Sequence, residues 1–533
     1  VATIAFEGTA AYCHLVMQQA TATIDIDFTL QQPPMIDGQP VVVVEAYKVM
    51  KGRSKADCNT SVTIEKELNN LSAEEISSNK EAVQAADHKE LKQLFDLGTF
   101  KRMLRRQARN IVDVRWVRKW KKDPHSGSKF VKSRLTVRGF KDLCQDLLTY
   151  AGTATRWAQR LIVALAVMLD MPLFTIDVTG AFAKGLNWEE LSKVTGEALR
   201  AVQFELTRPE DVALLRGLPG FEDFNPATEV LDMIKAIYGL KDAPRAWRLR
   251  LNQILLEAGL SQLKTEQELY VSHCTLHSSK MWNNEKGTSR TGPLCGDRAE
   301  TQLQIALTMH VDDLKGIATE KAMKHTIDIM EKAVGKVTIL KDNFEHCGIK
   351  HETSEKAITM HQNHYVAQLR PINEGLLGEH KDDEDVNVFS PELGTLFMSL
   401  LGGLAWLVLT RLDICIYVQA MQRHAQAPRV SDVRKLNRLL RWVQRRPAGI
   451  VFHRHKGNMR ISAVSDSAFR SLEDNTTGLA LRGFVVLLTI ISELHPGGKC
   501  LILDYGTKKH KRVNRSTFAA ELNAAVDTLD VAK

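Results

Sequence analysis

The 533-residue chain has no two cysteines at a C-x-x-C spacing; its eight thiols are scattered at Cys13, Cys58, Cys144, Cys274, Cys295, Cys347, Cys415 and Cys500. That excludes a zinc ribbon, a zinc knuckle and a small disulfide scaffold. Scattered thiols fit a reducing, intracellular compartment. No secretory leader is read at the N-terminus, which lacks a basic run and has its apolar residues broken by Glu7 and His14. The chain opens on Val, as a fragment or processed piece would. Internal repeats and low-complexity tracts are absent. Long apolar runs are nearly so: Leu393 to Thr410 is uncharged for 18 residues, the lower edge of a spanning helix. It carries Gly394, Gly402 and Gly403 and stops at Arg411 and Asp413. The run reads as a buried core helix, with no membrane partner. Hydrophobic residues at 44% and charged residues at 25% are ordinary globular usage, which excludes a disordered, collagen-like or coiled-coil chain. At roughly 150 residues per domain, the length suggests about three or four folding units.

The net charge of +8 is local in origin. From Lys101 to Lys141 there are 15 Lys and Arg against Asp113 and Asp123, a local excess of +13. Val112 to Lys122 interleaves Trp116 and Trp120 with Arg115, Arg118, Lys119, Lys121 and Lys122. A turn follows at Asp123-Pro124-His125-Ser126-Gly127. Lys129 to Arg138 then alternates, with Phe130, Lys132 and Arg134 on one face and Val131, Leu135 and Val137 mostly on the other. This is a basic hairpin, either a solvated charged surface or one that meets phosphates. The charge density favours the phosphates of a nucleic acid or a nucleotide. Arg434 to Arg446 adds six cations on an amphipathic helix whose apolar face is Leu436, Leu439, Leu440 and Val443. Lys508 to Arg515 adds five more cations.

Residues 1–70 are weakly patterned, with a loop at 32–39 and a short strand at Val41 to Val44. Ser72 is an N-cap for a helix running to about Leu97. Trp157 to Leu169 reads as an apolar helix and Leu173 to Val178 as a buried strand. Residues 184–230 carry no clear period. Ala236 to Arg250 is a Gly turn followed by a helix, 276–300 a polar surface loop, and Gln302 to Met309 a strand.

Two apolar strands end in carboxylates: Asp177 on the first, Asp312 and Asp313 on the second. A single Asp there is commonly a turn or cap residue. Adjacent carboxylates repel, so a pair asks for a cation or a turn. Three such groups converging on a sheet would suit one or two Mg²⁺ ions. Sequence distance alone does not bring Asp177 to Asp312.

Three runs in order carry a resemblance: Asp177-Val178-Thr179-Gly180-Ala181-Phe182, then Tyr238-Gly239-Leu240-Lys241-Asp242-Ala243-Pro244-Arg245-Ala246-Trp247, then His310-Val311-Asp312-Asp313. The chain resembles the reverse transcriptase of copia-type LTR retrotransposons, as a fragment of a Pol polyprotein. Trp116 to Phe140 resembles the fingers hairpin, His346-Cys347-Gly348-Ile349 the primer-gripping turn, and Phe397 to Ile414 the segment that closes the polymerase region. Coverage runs from about residue 75 to the C-terminus.

The resemblance implies an α+β right-hand polymerase fold (fingers, palm, thumb) over 71–375, a connection over 376–455, and a ribonuclease H-like α/β domain over 456–533. Residues 1–70 would be a linker or a poorly patterned segment. It implies that Asp177, Asp312 and Asp313 carry two Mg²⁺ ions, with Mn²⁺ able to substitute. Lys132 and Arg134 would hold the triphosphate, and Phe182 would sit under the sugar and exclude a 2′-hydroxyl. Asp242, Pro244 and Arg245 would lie near the nucleotide and template. Arg115, Trp116, Arg118, Lys119, Lys121, Lys122 and Gly348 would meet nucleic acid. In the tail, Ile461 to Ser467 resembles a first strand bearing the metal ligand Asp466. Asn475 to Gly478 resembles the next hairpin, and a helix over Arg515 to Leu529 offers Glu521 as second ligand. That helix groups Phe518, Leu522, Val526 and Leu529 on one face. The chain ends before a strand that would supply a third carboxylate, so ribonuclease H activity is not expected of it alone.

Three positions depart from the family pattern. His310 stands where Tyr is usual, Asp242 where Gln is usual, and Leu412 where Pro is usual. A negative charge at Asp242 would weaken nucleotide binding. The implied function is RNA-directed DNA synthesis, with an RNA template, a DNA primer and product, and dNTPs as partners. The competing expectation is a catalytically inactive relic that still binds nucleic acid.

Overall fold

The computed structural model describes residues 70–122, 127–144, 146–275, 301–377, 391–454, 459–468, 481–490, 500–510 and 516–532, besides the paired two-residue strands Met35–Ile36 and Gln39–Pro40. The strand at Val41 to Val44, the loop 276–300 and the turn at Asn475 to Gly478 lie outside these residues. The architecture is mixed α and β with several sheets, in two compact units. One comprises Glu65–Thr155 and Pro172–Lys341; the other includes Arg156–Met171 and Asp342–Lys533.

The first unit holds two sheets. In chain order its strands are β1 (Phe100–Leu104), β2 (Ile111–Lys122), β3 (Lys129–Val137), β4 (Leu173–Asp177), β5 (Gln203–Glu205), β6 (Glu229–Met233), β7 (Ser261–Gln262), β8 (Leu269–Thr275), β9 (Thr301–His310), β10 (Asp313–Ala318) and β11 (Thr338–Lys341). The five-stranded sheet runs β1-β6-β5-β2-β3, and the six-stranded sheet β7-β8-β9-β10-β4-β11. The basic hairpin is β2 paired antiparallel with β3. Its alternation is real: Val131, Ser133, Leu135 and Val137 are buried, while Lys132 and Arg134 on the other face are not. Helix Lys80–Asp96 covers the hairpin, burying Val83, Asp87, Leu91 and Leu94 at helical spacing. Before it, Ser72 caps helix Ala73–Ser78 through a capping box with Glu75.

The stretch 184–230 has no legible period because its elements are short: helix Trp188–Thr195, β5, helix Pro209–Arg216 and the start of β6. The glycine turn at 239 leads into helix Ala243–Glu257, with Pro244 in its first turn. In the six-stranded sheet, Leu173, Phe174, Thr175 and Ile176 of β4 are all buried, since the strand is central and covered on both faces.

In the second unit, β12 (Phe344–His346), β13 (Ile349–Thr353), β14 (Ala357–His361) and β15 (Gly449–His453) form one antiparallel sheet. A further antiparallel sheet joins β16 (Met459–Ser467), β17 (Leu481–Ile490) and β18 (Cys500–Lys509). The uncharged run forms helix Pro391–Leu407, whose Leu393, Phe397, Leu400, Leu401, Leu404 and Leu407 are buried against helix Val430–Arg445. Among the described residues no helix is long and apolar enough to cross a membrane. Helix Val430–Arg445 buries Leu436, Leu439, Leu440 and Val443 as its pattern requires, and Asn437 among them bonds both backbone groups of Ile372 at 2.7 Å.

Helix Thr517–Ala532 lies against β16 and β17, but not by its apolar stripe. Ala520, Ala524 and Thr528 are the buried side, whereas Phe518 is 76% exposed and Leu522, Val526 and Leu529 are exposed too. Small side chains let the helix axis approach the sheet closely, and this unit takes that face.

Helix Arg156–Leu169 carries Arg160, 2% exposed. Its guanidinium donates to Leu409 O (2.8 Å), Leu503 O (3.2 Å) and Asp504 Oδ1 (3.1 Å), and lies 4.3 Å from the Tyr505 ring centroid. Tyr505 in turn donates its hydroxyl to Val408 O at 2.6 Å. Removing one partner of a buried pair strands the other charge. Asp504→Ala is therefore expected to cost this unit about 3–5 kcal/mol in urea unfolding. A loss below about 1 kcal/mol, the range of an exposed pair, would refute the assignment.

Candidate active site

Asp177 ends β4 and Asp313 begins β10, and the two are register partners on adjacent antiparallel strands. Directly opposite residues share a face with their Cβ atoms about 5 Å apart, where like charges destabilise each other. β9 and β10 form a hairpin closed between His310 and Asp313, so Val311 and Asp312 are its two-residue turn. The topology thus sets Asp177 opposite Asp313, with Asp312 in the adjoining turn. Burial, then the charges of Asp312 and Asp177, push the Asp313 carboxyl up to about 6.

That turn is strained. Val311 has φ +59°, a conformation that a β-branched residue adopts only under constraint. The constraint is visible: the fully buried Trp247 donates its indole N–H to Val311 O at 2.9 Å. At the other end of the same motif, Tyr238 O accepts from Val137 N at 2.8 Å, and Gly239 has φ +101°. A Cβ on Gly239 would fall 2.0 Å from Val137 O, so only glycine lets the loop approach β3 this closely. The Tyr238–Trp247 run is therefore a brace from β3 to the Asp312 turn.

Across from the acids stand cations. Lys132 and Arg134 make no ion pair among the described residues; Arg134 lies 4.3 Å from the Tyr238 ring centroid. Burial, then Arg134 and Lys121, lowers the Lys132 pKa, while Asp177 and Glu90 oppose that shift. Glu90, on helix Lys80–Asp96, faces the same cations, and burial raises its pKa against their pull. One of its oxygens, Oε1, has no hydrogen-bond partner. Lys184, after the turn that carries Phe182, also feels Asp177 while burial lowers its pKa. Phe182 is half-buried, its ring centroid 5.1 Å from that of Tyr238, and packs against both cores of this unit.

Other expected contacts are tied into the fold. Asp242 is 2% exposed, and its Oδ2 accepts from Arg200 Nε at 2.8 Å; Arg200 also bonds Asp142 at 2.7 Å. Its charge is neutralised inside the protein and not offered to a nucleotide. Arg245 pairs with Glu197 at 2.7 Å and Pro244 starts its helix. On the hairpin, Trp116 donates to Asp211 at 2.9 Å, and Arg118 forms a two-pronged pair with the buried Asp87. Lys119 pairs with Asn70 through the backbone, while Arg115 and Lys121 are exposed. Lys122 ends β2, with its side chain outside the described residues. Gly348 and Cys347 form the β12–β13 turn with φ +72° and +50°, the pattern of a tight hairpin turn. A Cβ on Gly348 would lie 2.4 Å from the Trp406 ring. Asp466 on β16 and Glu521 on the packed helix are both half-buried.

Among the described residues, no three His, Cys, Asp or Glu side chains are already gathered to hold a metal ion. In donor chemistry Asp177, Asp312 and Asp313 still fit a hard divalent cation: all are oxygen ligands, and their mutual repulsion is what a cation would relieve. Glu90, Lys184, Tyr238 and Trp247 escaped the sequence reading as site residues. Only Tyr238 and Trp247 carried a signal, through the motif they bound.

Replacing Trp247 by Phe keeps the ring and removes the donor to Val311. This is expected to cost about 1–2 kcal/mol in urea unfolding. In the Val311→Gly background, where the strain is gone, the cost is expected to shrink. Strictly additive losses would refute the coupling.

No family model matches the chain. It is 23% identical over 432 residues to the retrovirus-related Pol polyprotein from transposon RE2 of Arabidopsis thaliana, a span of 78% of this chain. It is likewise 23% identical over 437 residues to that from transposon RE1 of the same plant. A 179-residue stretch is 27% identical to that from transposon TNT 1-94 of Nicotiana tabacum, covering 33% of this chain. The chain spans 25% of the RE2 and RE1 polyproteins and 12% of the tobacco one. A crystal structure of prototype foamy virus protease-reverse transcriptase overlaps 83% of this chain and 64% of its own, at 11% identity and a TM-score of 0.26. By sequence, this chain is related over most of its length to retrovirus-related Pol polyproteins of plant transposons.

Proposed function

We propose that this chain is the RNA-directed DNA polymerase of a copia-type retrotransposon. The observation that carries the reading is the pairing of Asp177 with Asp313 beside Asp312, faced by the unpaired cations Lys132 and Arg134. Two Mg²⁺ ions, or Mn²⁺, held by Asp177, Asp312 and Asp313 would supply the Lewis acidity for attack of a primer 3′-hydroxyl on a dNTP. The chain's own residues bind and orient. Lys132 and Arg134 hold the triphosphate, Arg134 being oriented by the Tyr238 ring. Phe182, braced on Tyr238, lies under the sugar and excludes a 2′-hydroxyl. Arg115 and Lys121 offer cations to a template or product backbone. The assignment of 71–375 to fingers, palm and thumb and of 376–455 to a connection belongs to the same reading. So does a ribonuclease H-like domain over 456–533, supported by the antiparallel β16–β18 sheet with a helix on it. Within it Asp466 and Glu521 are the candidate ligands.

Primer extension on an RNA template with dNTPs tests the reading. Extension should occur in Mg²⁺ or Mn²⁺ and be lost in Asp177→Asn. Lys132→Glu with Arg134→Glu should raise the dNTP KM by about tenfold or more. Salt-dependent template binding without extension would favour the second reading, a nucleic-acid-binding protein without catalysis.

The raised Asp313 carboxyl gives a pH signature. Below about 6 it holds a proton that an unfolded chain would release, so the metal-free fold gains stability from it at low pH and loses that gain as pH rises through about 6. A bound cation should reverse this. Mg²⁺ is expected to raise the unfolding temperature at pH 7.5 but not at pH 5, and Asp313→Asn should abolish the difference. A metal shift independent of pH would remove Asp313 from the ligand set.

A further inference from the structure

Outside the cleft between the acids and Lys132, one pocket in the first unit has a chemistry of its own. It is an open surface depression of about 370 Å³, lined by Lys89, Lys92, Gln93, Asp96, Leu97 and Lys184, of which Lys89, Lys92 and Asp96 are exposed. That volume is many times the ~30 Å³ share of one water, so a small anion fits in it while staying partly solvated. Helix Lys80–Asp96 presents Lys89, Gln93 and Asp96 on one face, and the turn Ala181–Lys184 supplies Lys184 opposite. Lys92 and Asp96 satisfy each other at 2.9 Å. Lys89 and Lys184 have no ion pair or hydrogen bond among the described residues, though Lys184 lies within the field of Asp177, so the lining offers two ammonium groups and a carboxamide. The pocket also abuts the Asp177 loop. Gly180 has φ +71°, and a Cβ there would come within 2.7 Å of Gln93 Nε2.

We infer that this open depression is an oligophosphate subsite, which takes inorganic pyrophosphate on Lys89, Lys184 and Gln93 beside the Asp177 loop. Two ammoniums and an amide N–H donor match a compact anion rich in acceptor oxygens. Burial lowers the Lys184 pKa against the pull of Asp177, and a second anion in the depression would relieve that penalty. The identification of pyrophosphate as the ligand rests on the proposed polymerase reaction, which releases it; the anion site itself does not. It is separate from the triphosphate contacts assigned to Lys132 and Arg134.

The test is isothermal titration of the full chain with inorganic pyrophosphate, and separately with a dNTP, in EDTA-containing buffer at low salt. Lys89→Gln with Lys184→Gln should weaken pyrophosphate binding by about tenfold or more, while Lys132→Gln with Arg134→Gln should change it by less than about twofold. For the dNTP the order should reverse, which separates free pyrophosphate from a nucleotide tail. Lys89→Glu alone, at an exposed position, should also weaken pyrophosphate binding and guards against misfolding of the double variant. Three results would each overturn the inference: no pyrophosphate binding by the unmodified chain, binding indifferent to Lys89 and Lys184, or equal loss in both double variants. Failure of primer extension would leave these titrations intact, so the two readings fail separately.

Discussion

Two carboxylates held opposite each other on neighbouring antiparallel strands repel, and no exposed loop would keep them there. Asp177 and Asp313 stay in register because β4 is central in its sheet, with its four preceding residues buried and a partner strand on each side. The apolar ones among them, Leu173, Phe174 and Ile176, contribute about 1.5–3 kcal/mol each, enough to outweigh a local electrostatic penalty. The neighbouring turn adds its own cost through Val311, of about 1–3 kcal/mol for such backbone strain. Trp247 and the loop at Gly239 tie that turn to β3. The Tyr238–Trp247 run thus joins the sheet that bears the acids to the hairpin that bears the cations.

The charges of the first unit fall into two kinds, and burial with pairing separates them. Arg118 with Asp87, and Arg200 with Asp142 and Asp242, are largely buried ion pairs; they fix elements far apart in sequence. Lys132, Lys184 and Lys89 are not paired. A half-buried ammonium without a counterion is costly, and burial pushes the pKa of both Lys132 and Lys184 down. Such groups are retained where an anion arrives from outside. By this criterion the +13 of the basic stretch overstates the surface available to a polyanion, because Arg118 and the pair Arg138 and Lys141, which both meet Asp113, are spent internally.

Local pattern was legible in the sequence wherever an element was long enough to repeat. The N-cap at Ser72, the alternation of β3, the apolar run of helix Pro391–Leu407 and the stripe of helix Val430–Arg445 appear as read, although the helix expected to run from Ser72 to about Leu97 is divided at Asn79. Residues 184–230 were opaque because strands of three to five residues and helices of eight do not complete enough periods. Pairings at long range were opaque for a different reason. Nothing in the sequence around Arg160 points 344 residues on to Asp504. Helix Thr517–Ala532 marks a further limit: its hydrophobic stripe was readable, but which face the sheet covers was set by close approach and not by apolarity. For the site, the motifs named the acids and Lys132 with Arg134. They did not disclose Glu90 or Lys184, whose relevance is purely spatial.

Two departures from the family pattern lose their apparent weight once their surroundings are considered. Asp242 would bring a negative charge toward a nucleotide only if it were free, and Arg200 holds it inside with Asp142 and Asn110 behind. Arg200 is therefore the compensating residue for that substitution. His310 would bring a positive charge beside the acids only if protonated. Burial lowers its pKa below the ordinary imidazole value, and Lys315 adds to that effect against Asp312. At neutral pH it is a neutral ring next to the turn. Neither substitution changes the net charge that Asp177, Asp312 and Asp313 present. In the proposed reading, the electrostatics on which nucleotide and cation binding depend are preserved at both positions.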